Sequence, residues 1–357
     1  MSRLIRAVID TEALRHNLET IRQRAHGAKV MAVVKANAYG HGLVQTALAL
    51  PNADAFAVAR LEEGVKLREH GVSRPIVLLE GVFSAEQLRE AARHRLDLVV
   101  HDALQVELLT RDAGAHRFVL WVKIDTGMNR LGFRPEEFRE ALNRLERLAP
   151  PPLEIRLMTH LARADDSPEM TRSQLERFRE VTQGLRYATS IANSAGVFGE
   201  TPVGGEWVRP GLALYGASPF ADRTGEDLGL RPVMLLNTSV IAVRRVPRGE
   251  TVGYGAAWRA ERDSRIAIAA AGYGDGLPRG LPNGTPVLVD GHRAPLCGRV
   301  SMDMIALDVT DLGEVRAGTP VVLWGEGLPV EEVARWAGTI PFELLCGVSQ
   351  RVPLELR

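Results

Sequence analysis

The feature that most constrains the fold is an alternation that recurs from residue 10 to about residue 215: a short apolar run, a turn and an amphipathic stretch. Between the runs, stretches such as 136–148 place Phe138, Leu142 and Leu145 on one helical face. Near-continuous apolar strands covered by helices are typical of parallel sheets. We therefore predict an α/β fold built on a closed (β/α)₈ barrel of the TIM type, with an open doubly wound sheet as the alternative. The predicted strands are 30–34, 55–59, 76–79, 96–100, 118–124, 155–158, 188–192 and 212–215.

The pattern changes after residue 230 to Val-, Thr- and Ala-rich runs broken by Gly and Pro, which predict a mostly-β C-terminal domain. Only 330–337 has a helical pattern there, and 225–229 is the expected linker. We accordingly predict a barrel domain over residues 1–229 and a β-domain over 230–357. The expected strands of the second domain are 237–246, 265–271, 286–289 with a turn at 290–291, and 320–324.

Composition narrows the class of protein further. The 357 residues are 45% hydrophobic and 25% charged, and 44 basic residues balance 44 acidic ones, so no positive field favours nucleic acid. The two cysteines, Cys297 and Cys346, fit a reducing compartment and are both expected to be buried. We expect no signal peptide at the N-terminus and no membrane partner, and therefore a cytoplasmic protein.

Lys35 directly follows the apolar run 30–34, which places it at the C-terminal end of a buried strand, where barrel enzymes build their sites. Such a lysine either is ion-paired or extends its amine to solvent, or it is a desolvated amine that forms an imine with a carbonyl cofactor. The sequence Tyr39-Gly40-His41-Gly42 follows and is suited to presenting N–H groups and a hydroxyl to a phosphate, although ordinary loops share this composition.

Other polar residues also fall at predicted strand ends. Each has a simple structural explanation as a cap, a core histidine or an ion pair, but a common position at one rim of the barrel favours a binding site. These residues are Lys123, Asp125, Arg130, His160, Asn193, Ser194, Arg209 and Gly211.

The motif Val-Val-Lys-Ala-Asn-Ala-Tyr-Gly-His-Gly at 33–42 resembles the cofactor-lysine signature of alanine racemases, enzymes of fold type III that depend on pyridoxal 5′-phosphate (PLP). The resemblance extends over nearly the whole chain. It continues through 123–132, 158–160, 193–196, 209–211, 252–255, 272–276 and 298–303.

The resemblance implies that Lys35 carries PLP as an internal aldimine and that alanine replaces the lysine to form the external aldimine. L-Alanine and D-alanine would then interconvert by a two-base mechanism, supplying D-alanine for peptidoglycan. Lys35 would take the α-proton from D-alanine and Tyr254 from L-alanine. His160 and Arg209 resemble the groups that support the tyrosine, and Arg209 also resembles the partner of the pyridine nitrogen.

The remaining roles follow from the same resemblance, which also implies a two-fold homodimer in which the β-domain of one subunit completes the barrel site of the other. Lys123 matches a lysine that is carbamylated in some relatives, and no metal is expected. The implied cofactor contacts are Lys35, Tyr39, His160, Asn193, Ser194, Arg209 and Gly211. The implied substrate contacts are Arg130, Met302, Tyr273 and Asp303.

Two other functions are compatible with a PLP barrel. A non-catalytic PLP protein shares the lysine loop but lacks the β-domain, so the segments around Tyr254 and Met302 argue against it. A fold-type III decarboxylase or a racemase of broader range is the second alternative. The decarboxylase motifs are not found, and the broad-range secreted racemases usually begin with a signal peptide.

Overall fold

The computed structural model describes residues 4–357. The expectation of no signal peptide concerns the N-terminus, and residues 1–3 of that stretch lie outside the described residues. After β1 (Arg6–Ile9), the chain forms a closed barrel of eight parallel strands in sequence order, with the last strand pairing with the first. The predicted barrel is confirmed. Its strands are β2 (Lys29–Val33), β3 (Ala55–Val58), β4 (Ile76–Leu78), β5 (Asp97–Val100), β6 (Val119–Lys123), β7 (Glu154–Met158), β8 (Thr189–Ser190) and β9 (Trp207–Val208).

Helical segments follow the strands and cover the barrel. In α7 (Pro135–Glu146) the predicted apolar face of Phe138, Leu142 and Leu145 is buried, and all four residues of β3 are buried, as expected for a parallel strand covered by helices. No helix of residues 4–357 has the length and apolar character needed to cross a bilayer. The other segments are α1 (Thr11–Arg24), α2 (Lys35–Tyr39), α3 (Leu43–Ala49), α4 (Leu61–Glu69), α5 (Ala85–Arg93), α6 (Ala103–Asp112), α8 (Pro168–Thr182) and α9 (Ser194–Phe198).

The predicted eighth strand, 212–215, is wrong: this segment is a 3₁₀ helix, and the eighth barrel strand is β9. All four residues of Leu212–Tyr215 are buried, and a short apolar run signals burial without distinguishing a strand from a helix. Gly216 ends the helix at φ +81°, where an added Cβ would lie 1.8 Å from the Arg231 carbonyl oxygen. β9 has only two residues, too few to show a strand pattern.

The chain after residue 230 is mostly β, as predicted. β10 (Met234–Val246) is its central strand and pairs with β1, β13 (Ser264–Ala269) and β17 (Pro320–Trp324). The predicted turn joins β14 (Pro286–Val289) to β15 (His292–Pro295), with Asp290 and Gly291 at φ +51° and +78°. The remaining strands are β11 (Thr251–Val252), β12 (Trp258–Arg259), β16 (Ile305–Asp308) and β18 (Leu354–Leu356).

Two features of this region differ from the sequence pattern. Besides α10 (Val330–Ala337), which was predicted, there is a second helix, α11 (Pro341–Gly347), so the expectation of a single helix is wrong. Seven residues opening on Pro341 give too short a pattern to identify. β1 pairs with β10 and β18 and so lies in the C-terminal sheet, while the division at residue 229 stays a prediction.

Candidate functional site

The segment α2 winds with the opposite hand to an ordinary helix. Four consecutive residues without glycine, Ala36 to Tyr39, have φ between +52° and +54°. Left-handed backbone costs about 1–2 kcal/mol per residue for residues with a Cβ, so the surrounding structure must hold it. We call this segment, Lys35–Tyr39, the lysine turn. Its geometry places both Lys35 and Tyr39 on the wall of one cavity.

That cavity has a volume of about 550 Å³ and lies at the C-terminal ends of the barrel strands. The structure brings together there nine of the residues predicted from sequence. They are Lys35, Tyr39, Lys123, Arg130, His160, Asn193, Ser194, Arg209 and Gly211.

Arg209 follows β9 and is a buried cation. One of its terminal nitrogens, Nη1, donates to Ser190 Oγ at 2.6 Å, and Nη2 donates to the carbonyl oxygens of Thr159 and of Ile191, the latter at 3.3 Å. These acceptors are neutral, and burial lowers the pKa of the guanidinium to about 10. Arg209 therefore brings a permanent positive charge into the cavity wall.

His160 lies beside this guanidinium, with its Nδ1 3.4 Å from Arg209 Nη2. Burial is the largest cause that holds the pKa of His160 well below its ordinary value, and the positive charge of Arg209 is the next. The imidazole is therefore neutral at pH 7, with Nδ1 accepting from Arg209 and the proton on Nε2.

Lys123 ends β6 and is also buried. Burial lowers its pKa to about 8, and the positive charges of Arg209, Arg130 and Lys35 act in the same direction, while Asp125 opposes them. Basic side chains therefore dominate one side of the cavity. Such a site favours a ligand that carries several negative charges.

Tyr39 and Ser194 form a hydroxyl-lined corner at Gly211. Ser194 Oγ accepts from Gly211 N at 3.0 Å and Ala213 N at 3.2 Å, and a Cβ at Gly211 would lie 2.3 Å from the Tyr39 hydroxyl. Burial raises the pKa of Tyr39 well above its ordinary value, so its hydroxyl stays protonated. Asn193, beside them, accepts from Gly196 N at 2.9 Å and caps α9.

Five other predicted residues do not line this cavity. Asp125 instead caps a turn, with its Oδ1 accepting from Gly127 N at 2.9 Å and Asn129 N at 3.1 Å. The remaining four do not line the cavity of their own chain. Tyr254 is 69% exposed, Met302 52% and Tyr273 40%. The carboxylate of Asp303 is exposed and paired with Arg351, which also contacts the buried carboxylate of Asp275 at 2.9 Å. All four lie in the region after residue 230, on surfaces open to another molecule.

Sequence reasoning missed contributions from α11. The Phe342 ring is tilted against Tyr39 with centroids 5.9 Å apart, and both Phe342 and Cys346 line the cavity. Cys346 is exposed, which corrects the expectation that both cysteines are buried, whereas Cys297 is buried as expected. No sequence signal linked α11 to Lys35, because the approach depends on how the C-terminal region folds back over the lysine turn.

Comparison with known proteins identifies the family of this chain. The profile described as "Alanine racemase, N-terminal domain" matches residues 9–219, and that described as "Alanine racemase, C-terminal domain" matches residues 233–356. The chain belongs to the alanine racemase family. The resemblance inferred from the motifs is thereby confirmed.

Relatives in this family match over nearly their full lengths. The chain is 51% identical to the alanine racemase of Nitrosococcus oceani, covering 97% of this chain and 98% of the relative. It is 46% identical to the biosynthetic alanine racemase of Escherichia coli, covering 98% of each. The crystal structure of the biosynthetic alanine racemase from Pseudomonas aeruginosa superposes with a TM-score of 0.96 at 46% identity, covering all of both chains.

Proposed function

We propose that this protein is an alanine racemase that interconverts L-alanine and D-alanine with PLP held on Lys35. The observation that carries the proposal is Lys35 at the mouth of a cationic barrel cavity in a chain of this family. The relatives are named for the same activity. D-Alanine made in this way would supply peptidoglycan synthesis in the cytoplasm.

The residues of the cavity fit PLP. Lys35 offers the primary amine that an aldehyde requires. The corner at Gly211 offers the hydroxyls of Tyr39 and Ser194 to a phosphate, and a side chain at position 211 would collide with the Tyr39 hydroxyl. Arg209 offers a fixed positive charge to the ring nitrogen because its own acceptors are neutral. When bound, PLP makes the α-proton of an amino acid acidic by delocalising charge into its ring.

Two bases then serve opposite faces of the substrate. From D-alanine, Lys35 Nζ takes the α-proton on one face and the Tyr254 hydroxyl delivers a proton to the opposite face, which gives L-alanine. In the reverse direction the deprotonated Tyr254 oxygen takes the proton from L-alanine and the Lys35 ammonium delivers one. A tyrosine needs positive charge nearby to act as a base, which Arg209 supplies through neutral His160. Because Tyr254 is exposed and absent from the cavity wall of its own chain, we assign it to the site of a partner subunit.

Substrate positioning falls to residues from both regions. Arg130 lines the cavity and would bind the substrate carboxylate together with the Met302 N–H of the partner subunit. Tyr273 would gate the entrance, and Asp303 would hold the neighbouring loop through Arg351. Lys123 is close enough to affect Arg130 electrostatically, and carbamylation would turn it into an anionic anchor for that guanidinium.

The deciding experiment incubates the purified protein with each enantiomer of alanine, with and without added PLP, and measures the mirror form by chiral chromatography. We expect racemisation in both directions and its loss in Tyr254→Phe with bound PLP retained. Borohydride reduction followed by peptide mapping should tag Lys35. Absence of racemisation in both directions, or a tag on another residue, would overturn the proposal.

A further inference from the structure

Four consecutive residues of the lysine turn lie in the left-handed region. The roles proposed for the reaction do not explain what holds them there. Glycine is absent from Ala36 to Tyr39, and of these four residues only Asn37 is of a type that visits the left-handed region readily. A turn of this kind persists only where neighbouring groups fix its backbone donors and acceptors.

Glu63 is the side chain that reaches the start of this turn from another element. It lies in the first turn of α4, and its Oε1 accepts from Ala36 N at 2.7 Å. Its other oxygen, Oε2, accepts from Ala59 N at 3.0 Å and Arg60 N at 3.2 Å, where the chain leaves β3. Within residues 4–357 this carboxylate thus joins the turn after β2 to the end of the neighbouring strand.

The two carboxylate oxygens of Glu63 accept from donors of different elements. The bond from Arg60 N to Oε2 is the usual contact of a glutamate in the first turn of a helix and serves α4 alone. The bond from Ala36 N to Oε1 crosses to another element and fixes the peptide that follows Lys35. A neutral amide in place of the carboxylate keeps one acceptor oxygen and presents an N–H₂ group to donors, so it cannot satisfy both sides.

We propose that Glu63 is a positioning residue: it holds the lysine turn in its left-handed form and thereby aims the Lys35 amine and the Tyr39 hydroxyl into the cavity together. The proposal rests on Lys35 being the PLP-bearing residue. Glu63 does not line the cavity and acts only through the lysine turn. The charge matters because one carboxylate accepts from donors of two elements at once.

The test compares full-length Glu63→Gln with Glu62→Gln, an exposed neighbour on the same helix. Apoprotein of each is titrated with PLP, and binding is followed by the absorbance of the bound coenzyme. We expect the PLP dissociation constant of Glu63→Gln to rise about tenfold, equivalent to about 1.4 kcal/mol. The urea midpoint of its apoprotein should stay close to that of the control, because release of the strained turn offsets the lost bond.

A second substitution separates positioning from general stability. Ala36→Gly removes the steric cost of a left-handed φ at an exposed position, so adding it to Glu63→Gln should restore most of the lost PLP affinity. An unchanged dissociation constant in Glu63→Gln would overturn the proposal. A loss of affinity that Ala36→Gly leaves unrepaired, with a matching fall in apoprotein stability, would also overturn it.

Hydrogen exchange keeps this test separate from the proposed function. In apoprotein, Glu63→Gln should speed amide exchange in the peptide containing the lysine turn, whereas Glu62→Gln should not. If the wild-type protein bound no PLP, the proposed function would fail while faster exchange still supported the positioning role. Unchanged exchange in Glu63→Gln would overturn that role whatever the PLP result.

Discussion

At the scale of single residues, the cavity is marked by cations whose burial is not offset by contact with carboxylates. Arg209 donates to neutral acceptors, and Lys123 is buried among Arg209 and Arg130. Burying a charge costs free energy unless a partner or ligand compensates it. These residues therefore lower the stability of the empty site and raise its affinity for anions.

Lys123 gives this cost a pH dependence. Its folded pKa of about 8 lies below the ordinary lysine value of about 10.4, so between these values the unfolded chain binds more protons. The free energy of unfolding should therefore rise with pH from about 8 to about 10.4. Its contribution to stability is least favourable below pH 8, where the lysine is charged in both states.

The measurement compares wild type with Lys123→Met by urea unfolding at pH 7.5 and pH 10 in bicarbonate-free buffer, which prevents carbamylation. We expect wild type to gain about 2 kcal/mol relative to Lys123→Met over this interval. Equal changes in the two proteins would show that Lys123 titrates in the folded state as it does in the unfolded chain.

At the scale of elements, the lysine turn is a strained segment on a rigid barrel. Ala36 is exposed and sits at φ +53°, so its methyl group contributes steric cost without core packing. Strain of this kind is accepted where function requires one geometry.

Ala36→Gly alone should therefore raise the free energy of unfolding by about 0.5–1 kcal/mol, because relief of the left-handed strain exceeds the added entropy of the unfolded chain. Urea denaturation of the apoprotein measures it. Ala92→Gly, at a half-buried position of the right-handed helix α5, is the control without left-handed strain and should lower stability by about 1 kcal/mol. A loss of stability in both variants would contradict this account of the turn.

A second element-scale prediction concerns the loops that present Tyr273 and Met302. Tyr273 N donates to Ser301 O and Gly274 N to Met302 O, both at 2.9 Å, so these bonds join the two loops into one unit. Arg351 holds that unit through Asp275 and Asp303. Arg351→Gln should loosen it.

We expect Arg351→Gln to raise the KM for alanine several-fold with a smaller change in kcat, because the loops bind and admit substrate without taking its proton. Steady-state kinetics in both directions test this. Arg316→Gln, at an exposed arginine outside these loops, should leave both parameters unchanged. A fall in kcat at constant KM would place Arg351 in the chemical step instead.

At the scale of the whole molecule, one chain carries both proposed bases, but Tyr254 does not line the cavity that Lys35 lines. Lys35 lines the barrel cavity, while Tyr254 lies on the outer surface of the β-region with 69% of its surface exposed. In a two-fold dimer each site would take one base from each subunit.

Mixing inactive subunits tests this arrangement. Lys35→Ala and Tyr254→Phe should each be nearly inactive alone, but unfolding them together and refolding with PLP should recover about a quarter of wild-type activity. Half of the randomly formed dimers are mixed, and each mixed dimer holds one intact site of two. Recovery near zero from a mixture shown to contain mixed dimers would place both bases in the same chain.

The sequence alone determined the barrel, the β-rich region and the position of Lys35 at a strand end. Strands covered on both faces must be apolar throughout, and a polar residue directly after such a strand must lie at the rim of the barrel. His160 and Asn193 were predictable for the same reason, whereas Arg209 was expected before a strand at 212–215 and instead follows β9. Local patterns carry these features because burial and periodicity are local properties.

Only the tertiary structure decided the eighth strand, the pairing of β1 with β10, the hand of the lysine turn and the reach of Glu63 to Ala36. It also showed that α11 brings Phe342 and Cys346 to the cavity. Each of these depends on contacts between segments far apart in the chain. The apolar run 212–215 is equally buried as a strand or as a 3₁₀ helix, and only its packed neighbours select between them.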